Sequence, residues 1–213
     1  MNTSFTDNFK DMPNEDEILK WLKENLSNER YEHTLGVKDA AIFLAQRYGA
    51  DPKKAAIAGL LHDCAKCMSN EKLLNIINEK VGDIDQSELL NYKTYHAPVG
   101  QVFACEIFKI KDADILSAIR YHTLGRVDMT VFEKIIFLAD KIEANTRDKE
   151  YREKILNILD KFDKIKPGLG LDMALFECFS ITIKSLVDRR LAICPATIDV
   201  YNWLLSIVKD YTK

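Results

Sequence analysis

A chain of 213 residues, 47% hydrophobic and 30% charged, has the composition of a globular protein long enough to bury a large core. A formal net charge of −3 gives no global basic field, which argues against a nucleic-acid polymer as partner, and eight glycines and five prolines are too few for an all-β or low-complexity chain. No stretch approaches the roughly 18 apolar residues of a membrane span.

The start, Met1-Asn2-Thr3-Ser4-Phe5-Thr6-Asp7, is polar and carries no apolar signal core. Five cysteines are an odd number without framework spacing, so a reducing, cytoplasmic setting is expected. Cys64 and Cys67 form a Cys-x-x-Cys at a helix exit, without the strand-to-helix context of a redox pair, and read as packing cysteines.

In chain order, residues 1–12 read as a leader. Pro13-Asn14 opens a first helix, with Asn14 as N-cap, Glu15, Asp16 and Glu17 at its positive end, and Ile18, Leu19, Leu22 and Leu26 as its apolar stripe. Ser27-Asn28 breaks it. A second helix is predicted from about 29 to 48, where Val37, Ala40, Ala41, Leu44 and Ala45 recur at helical spacing before Gly49. His33 lies in its first turns, near Arg30 and Gly36. Asp51-Pro52 caps a third helix whose Ala55, Ala56, Ile57, Ala58, Leu60 and Leu61 leave little polar face, so it should be central and buried. It ends at His62-Asp63.

A short helix follows from Asn70 to about Lys80, closed by Gly82, and Ser87 is expected to cap a further turn through Tyr92. Pro98 marks the next helix start, placing His96 at or just before its N-cap. Asp112 caps another, with Ile115, Ala118 and Ile119 inside and His122-Thr123 at its edge before Gly125. Thr130 and Glu133 form a capping box for a helix carrying Ile135, Ile136, Leu138, Ala139 and Ile142, and Asp140, Glu143 and Arg147 are expected on one face of it. A charged helix (about 148–163), a hinge at Pro167-Gly168-Leu169-Gly170, a long helix capped by Asp172 and running to about Ala192, and a last helix from Ala196 to about Asp210 complete the chain. Tyr201, Trp203, Leu204 and Leu205 make the last helix apolar enough to cover the core or a second copy of the chain, leaving a homodimer open. No segment alternates as a strand. The fold class is all-α, one domain over 1–213 with a metal-binding core over 13–165 and C-terminal helices over 171–213.

The four histidines, His33, His62, His96 and His122, fall near predicted helix ends, as do Asp63 and Asp140. Buried imidazoles and carboxylates need partners. Ordinary hydrogen bonds could serve each singly, and Lys141 or Arg147 could pair with Asp140. On a helix, His62 and Asp63 would point about 100° apart; at a helix end the chain can turn and bring both to one cation. The whole ordered set reads as a metal site. Nitrogen and oxygen ligands with no required thiolate favour iron or manganese over structural zinc.

With these residues in place, the chain resembles the HD-domain metal-dependent phosphohydrolases. Gly59-Leu60-Leu61-His62-Asp63-Cys64-Ala65-Lys66, Tyr95-His96-Ala97-Pro98-Val99-Gly100, Ala118-Ile119-Arg120-Tyr121-His122-Thr123-Leu124-Gly125 and the stretch from Glu133 through Asp140 to Glu143 look like its YqeK-type branch. That resemblance implies an HD-domain helical bundle and a di-iron hydrolase that splits diadenosine tetraphosphate symmetrically into two ADP. It implies one ion on His33, His62, Asp63 and Asp140, and a second completed by His96 and His122 with Asp63 as the bridge. The matching mechanism is in-line attack of a metal-bound hydroxide on a bridge phosphorus. Lys66 would neutralise charge there, Arg147 hold phosphate, Thr123 donate a hydroxyl bond, and Glu143 orient a ligand histidine or a water; Arg30 and Arg126 are weaker phosphate candidates. Competing readings are an HD nucleotidase acting on mono- or deoxynucleotides, a di-iron oxygenase, and a non-catalytic metal-bound nucleotide sensor. A cyclic-dinucleotide phosphodiesterase ranks low, because Thr123-Leu124-Gly125 follows His122 where those enzymes carry further motifs.

Overall fold

The structure, a computed structural model, describes residues 14–82 and 84–211; the expected leader and Pro13 lie outside them. Side-chain capping sets most helix starts. Asn14 accepts from the Asp16 N–H at the head of α1 (Glu15–Asn25), and Ser27, which reads as a breaker, also caps α2 (Asn28–Tyr48). Gly49, at φ 73°, closes α2. Asp51 accepts from Lys53 and Lys54 to start α3 (Pro52–Leu61), Asp112 starts α6 (Ala113–Tyr121), and the Thr130–Glu133 capping box starts α7 (Val131–Ile142).

Between α3 and α6, Ser69 caps α4 (Asn70–Ile76), which widens into a π turn at Ile77–Val81. Two 3-10 turns follow, Gln86–Leu90 and Tyr92–Thr94. The first is capped by Asp85 rather than Ser87, because Asp85 accepts the Ser87 N–H. His96 is the first residue of α5 (His96–Glu106).

Three further expectations need correction. First, α7 stops at Ile142: Glu143 turns extended at φ −59°, ψ 151°, so Asp140, Glu143 and Arg147 do not share a helix face. Glu143 and Arg147 instead fold back from the turn before α8 (Lys149–Asp163). Second, Pro167-Gly168-Leu169-Gly170 is not a hinge. Gly170 N–H donates to Asp163 Oδ1 at 2.8 Å, while Asp163 Oδ2 accepts from Tyr48 OH at 2.7 Å and from Arg47, which clamps this turn to α2. Third, Asp172 lies inside α9 (Leu169–Asp188) and pairs with Lys134 instead of capping, and α9 ends short of Ala192.

The buried apolar cluster runs from Ile18 on α1 to Leu204 on α10 (Pro195–Val208). All of Ala55 to Leu61 is buried, as the all-round apolar surface of α3 requires. α3 packs on α2, and α2 and α6 pack on α7. Gly59 permits the α2–α3 approach, since a Cβ there would lie 3.0 Å from the Lys38 Cα. Val200 and Leu204 enter the core, with Tyr201 and Trp203 packed against it, so the last helix covers the core. Among the described residues there is no strand, and no helix is long and apolar enough to cross a membrane.

Candidate metal centre

The ends of α3 and α6, the start of α5, the first turns of α2 and the end of α7 meet around Asp63, which is 2% exposed. Its two oxygens face two groups. Oδ1 lies 2.9 Å from His96 Nε2 and 3.5 Å from His122 Nε2; Oδ2 lies 3.7 Å from His62 Nε2 and 3.8 Å from His33 Nε2. Asp140 Oδ1 joins the second group, 3.0 Å from His33 Nε2 and 3.9 Å from His62 Nε2. His33, His62 and Asp140 could hold one ion, and so could His62, Asp63 and His122.

Helix termination prepares these rings. The carbonyls of a helix's last turn lack amide partners. His62 donates Nδ1–H to the Gly59 carbonyl at 2.7 Å where α3 ends, and His122 donates Nδ1–H to the Ile119 carbonyl at 2.7 Å where α6 ends. His33 Nδ1–H is held by Glu143 Oε1 at 3.1 Å. With Nδ1 so engaged, each Nε2 turns an unprotonated lone pair toward Asp63, the tautomer a metal ligand needs.

Glu143, itself fully buried, is fixed by the turn that follows α7. Its carboxylate accepts the Asn145 N–H at 2.6 Å, the Thr146 N–H at 3.1 Å and the Thr146 hydroxyl, while the Asn145 amide donates to the Glu32 carbonyl on α2 at 2.8 Å. Asn145 and Thr146, which hold this carboxylate, are neighbours of the site that the sequence did not point to. Their role depends on a backbone turn, which no spacing rule encodes.

The donor set fits a cation. His33 Nε2, His62 Nε2 and Asp63 Oδ1 are buried without a hydrogen-bond partner. Lone pairs facing carboxylate oxygens at 3.0–3.9 Å repel unless a positive charge sits between them. Burial pushes the pKa of His62 down to about 3 and that of His96 to about 4. Burial also opposes charge on His33, but Asp140, Asp63 and Glu143 outweigh it and raise that pKa. Burial disfavours the charged carboxylates, yet His62, His122 and His96 hold Asp63 well below the usual range, and Lys141, His33 and Arg147 do the same for Asp140.

These directions set a pH dependence. His62 and His96 have folded pKa values below the unfolded one near 6.5, so the unfolded chain binds more protons as pH falls. Their contribution is complete above about pH 6.5 and is lost on acidification toward 4. Each can contribute up to about 1.4 kcal/mol per pH unit in that window. Chelator-treated protein should therefore unfold at lower denaturant at pH 5 than at pH 7.5. His33, whose pKa is raised, acts in the opposite sense, so a midpoint that rises on acidification would show that it outweighs His62 and His96.

Four cations border the carboxylates. Arg30 Nη1 lies 3.3 Å from Asp63 Oδ2, and Lys66 Nζ lies 3.8 Å from Asp63 Oδ1 and 3.1 Å from both ring nitrogens of His96. Arg147 donates to Asp140 Oδ1 at 2.6 Å and to its carbonyl at 2.7 Å, and Lys141 reaches Asp140 Oδ2 at 2.8 Å. Both ion pairs open to Asp140 as an isolated residue are thus formed. Burial lowers the Lys66 pKa, with Arg30 and Lys141 adding to the effect. Thr123 follows His122, half-buried. Arg126 donates to Glu133 Oε1 at 2.9 Å and lies over the Tyr121 ring. Cys64 is buried and its thiol pKa raised by burial, as a packing cysteine should be, whereas Cys67 is exposed and does not pack.

Residues 30–145 match the HD domain family. The chain is 39% identical over 196 residues to the symmetrical bis(5'-nucleosyl)-tetraphosphatase of Bacillus subtilis, covering 91% of this chain and 98% of the relative. It is 38% identical over 194 residues to the protein of that name from Halalkalibacterium halodurans, covering 90% and 97%. A crystal structure from Clostridium acetobutylicum, described as a predicted HD superfamily hydrolase involved in NAD metabolism, superposes with a TM-score of 0.82 at 37% identity, covering 92% of this chain and 99% of that one. With the matched region spanning the metal-competent cluster and the similarity extending along nearly the whole length, the chain belongs to the HD-domain family, in the branch of the symmetrical bis(5'-nucleosyl)-tetraphosphatases.

Proposed function

We propose that this protein hydrolyses diadenosine tetraphosphate symmetrically, with water adding to a bridge phosphorus, the central P–O–P link breaking and two ADP leaving. The observation that carries the reading is a buried cluster of four histidines and two aspartates centred on Asp63, in a chain similar over 90% or more of its length to relatives bearing that name. His33, His62, Asp63 and Asp140 would hold one ion; His96, His122 and the other oxygen of Asp63 would hold a second, with iron the first candidate and manganese the second. When bound, such a centre supplies an acidified water and Lewis-acid charge at phosphate oxygens.

The chain's own groups do the rest. Lys66, at the edge of the His96 half, is placed to take charge developing on the phosphate. Arg147 and Arg30, each touching a ligand carboxylate from the partly exposed side, are placed to hold neighbouring phosphates. The Thr123 hydroxyl is proposed as a further donor, and Glu143 as the group that orients His33. The continuous core from Ile18 to Leu204 supports treating residues 14–211 as one catalytic unit, and five free cysteines suit a reducing cytoplasm.

The test is elemental analysis of anaerobically purified protein, followed by product analysis on a panel of dinucleoside polyphosphates and mononucleotides. Metal-replete protein should release ADP alone from diadenosine tetraphosphate. Phosphate release from mononucleotides with the dinucleotide left intact would replace this reading with a nucleotidase. Tight nucleotide binding without turnover would replace it with a sensor.

A further inference from the structure

The four rings of the centre are not held alike. His62 and His122 each follow the last turn of a helix, where carbonyls are free, and each places its Nδ1–H on one of them at 2.7 Å. His33 has the Glu143 carboxylate for the same purpose. His96 stands at the opposite kind of helix end. It is the first residue of α5, where the free backbone groups are N–H donors, and no side chain caps that end. Among the described residues, the one group within hydrogen-bond distance of His96 Nδ1 is the Lys66 ammonium, 3.1 Å from Nδ1 and 3.1 Å from Nε2.

An ammonium offers donors and no acceptor, and a neutral imidazole has one N–H and one lone pair. When His96 turns its Nε2 lone pair to a cation beside Asp63, the ring proton must sit on Nδ1. That N–H then faces the Lys66 ammonium, donor against donor. When Lys66 instead donates to Nδ1, the proton sits on Nε2, 2.9 Å from Asp63 Oδ1, and the ring has no lone pair left for a cation. The two arrangements exclude each other, and the positive end of α5 weighs against a cation on the same side. The other half of the centre has cations too, but their contacts are of another kind. Arg147 and Lys141 reach the two oxygens of Asp140, and Arg30 reaches Asp63 Oδ2. A carboxylate oxygen that has accepted a hydrogen bond still has a lone pair to offer.

We infer that Lys66 competes with a metal ion for His96, so that the His96–His122 position is the weaker of the two, fills second, and drives Lys66 off the ring as it fills. Lys66 is free to leave: it lies in the turn after α3, with its side chain 29% exposed. This rests on the two-ion centre proposed above and gives it a regulation. The ammonium assigned there to the phosphate becomes available only when the second position is occupied, so scarcity of metal withdraws an ion and a substrate contact together. An outer partner of a metal-bound histidine changes affinity by about 10–100-fold, so the two positions should differ by about tenfold or more.

Manganese(II) titrated into chelator-treated full-length protein, followed by calorimetry and by the electron paramagnetic resonance of the free ion, reads this without any substrate. Two steps are expected. His122→Ala should remove the weaker step and keep the tighter one. Lys66→Ala should tighten the weaker step about tenfold and leave the tighter one alone. Lys66→Gln, whose amide oxygen can accept from His96 Nδ1–H, should tighten it at least as much, whereas Lys66→Arg, which again offers only donors, should leave the gap wide. A merely structural Lys66 would not rank the three variants in this order. Two equal steps, a single step, loss of the tighter step in His122→Ala, or a wild-type gap in Lys66→Ala would each overturn the competition. Diadenosine tetraphosphate left intact by protein loaded with both ions would overturn the hydrolase reading instead, and the order of filling would stand.

Discussion

Asp63→Ala should yield folded protein that has lost its metal and whose hydrolase activity has fallen by far more than about 100-fold, the upper end of what removing an outer partner of a metal ligand costs. The reason is geometric. Asp63 faces His96 and His122 through one oxygen and His33 and His62 through the other, so one substitution empties the middle of both groups. It also strips a buried counter-charge from Arg30 and Lys66. Lys66→Ala is the informative contrast. Lys66 touches the His96 ring and the rim of the site but adds no buried carboxylate or orphaned nitrogen to the donor set. It should keep its metal while the rate falls about 10²–10³-fold, the usual effect of losing one group that stabilises transition-state charge. Metal content, circular dichroism and kcat measured together separate the two. Asp63→Ala retaining a full metal complement would refute the bridging role, and metal loss in Lys66→Ala would refute a role confined to the phosphate.

The second large effect should come from a residue that is not itself a proposed ligand. Gly36 faces the Glu143 carboxylate across the α2–α7 interface. A Cβ on Gly36 would lie 2.3 Å from Glu143 Oε2 and 3.2 Å from the Asn145 side chain. Neither can retreat cheaply: Glu143 is fully buried and bonded to His33, Asn145 and Thr146, and Asn145 is tied to the Glu32 carbonyl. Gly36→Ala should therefore destabilise the protein by about 1–3 kcal/mol, as overpacking does. It should also push Glu143 off His33 Nδ1 and lower metal affinity roughly 10–100-fold. Glu143→Ala should reach the same metal defect without the overpacking strain, because His33 loses the acceptor that fixes its tautomer. Wild-type metal affinity in Gly36→Ala, measured by titration of chelator-treated protein, would show that the turn after α7 does not orient His33.

What could be read along the chain follows the range of the interactions involved. Caps at Asn14, Asp51, Asp112 and Thr130 are legible because side chain and amide lie within three residues of each other. The burial of α3 is legible for the same kind of reason, since a helix apolar on all sides has only the interior to occupy. His33, His62-Asp63, His96, His122 and Asp140 stand out through their motifs, and their convergence is what the HD pattern encodes. Where that local logic ends, tertiary contacts decide. Asp172 would make an acceptable cap, but Lys134 on α7 claims it. The Pro-Gly run at 167–170 would make a flexible joint, but Asp163 clamps it between Gly170 and α2. Arg126 is near His122 in sequence, but the contact it makes in the fold is with Glu133 on α7.

The sequence by itself determined an all-α chain, the positions of most helix ends and which histidines and aspartates to look for together, because each follows from neighbours a few residues apart or from a motif. Only the tertiary structure decided how those side chains divide around the two oxygens of Asp63, which carbonyl or carboxylate sets the tautomer of His33, His62 and His122, and that Glu143 and Arg147 return to the site from a turn rather than along a helix. Those features arise where α2, α3, α6 and α7 meet. Their energies depend on which groups are buried against one another, and no spacing within a single segment carries that information.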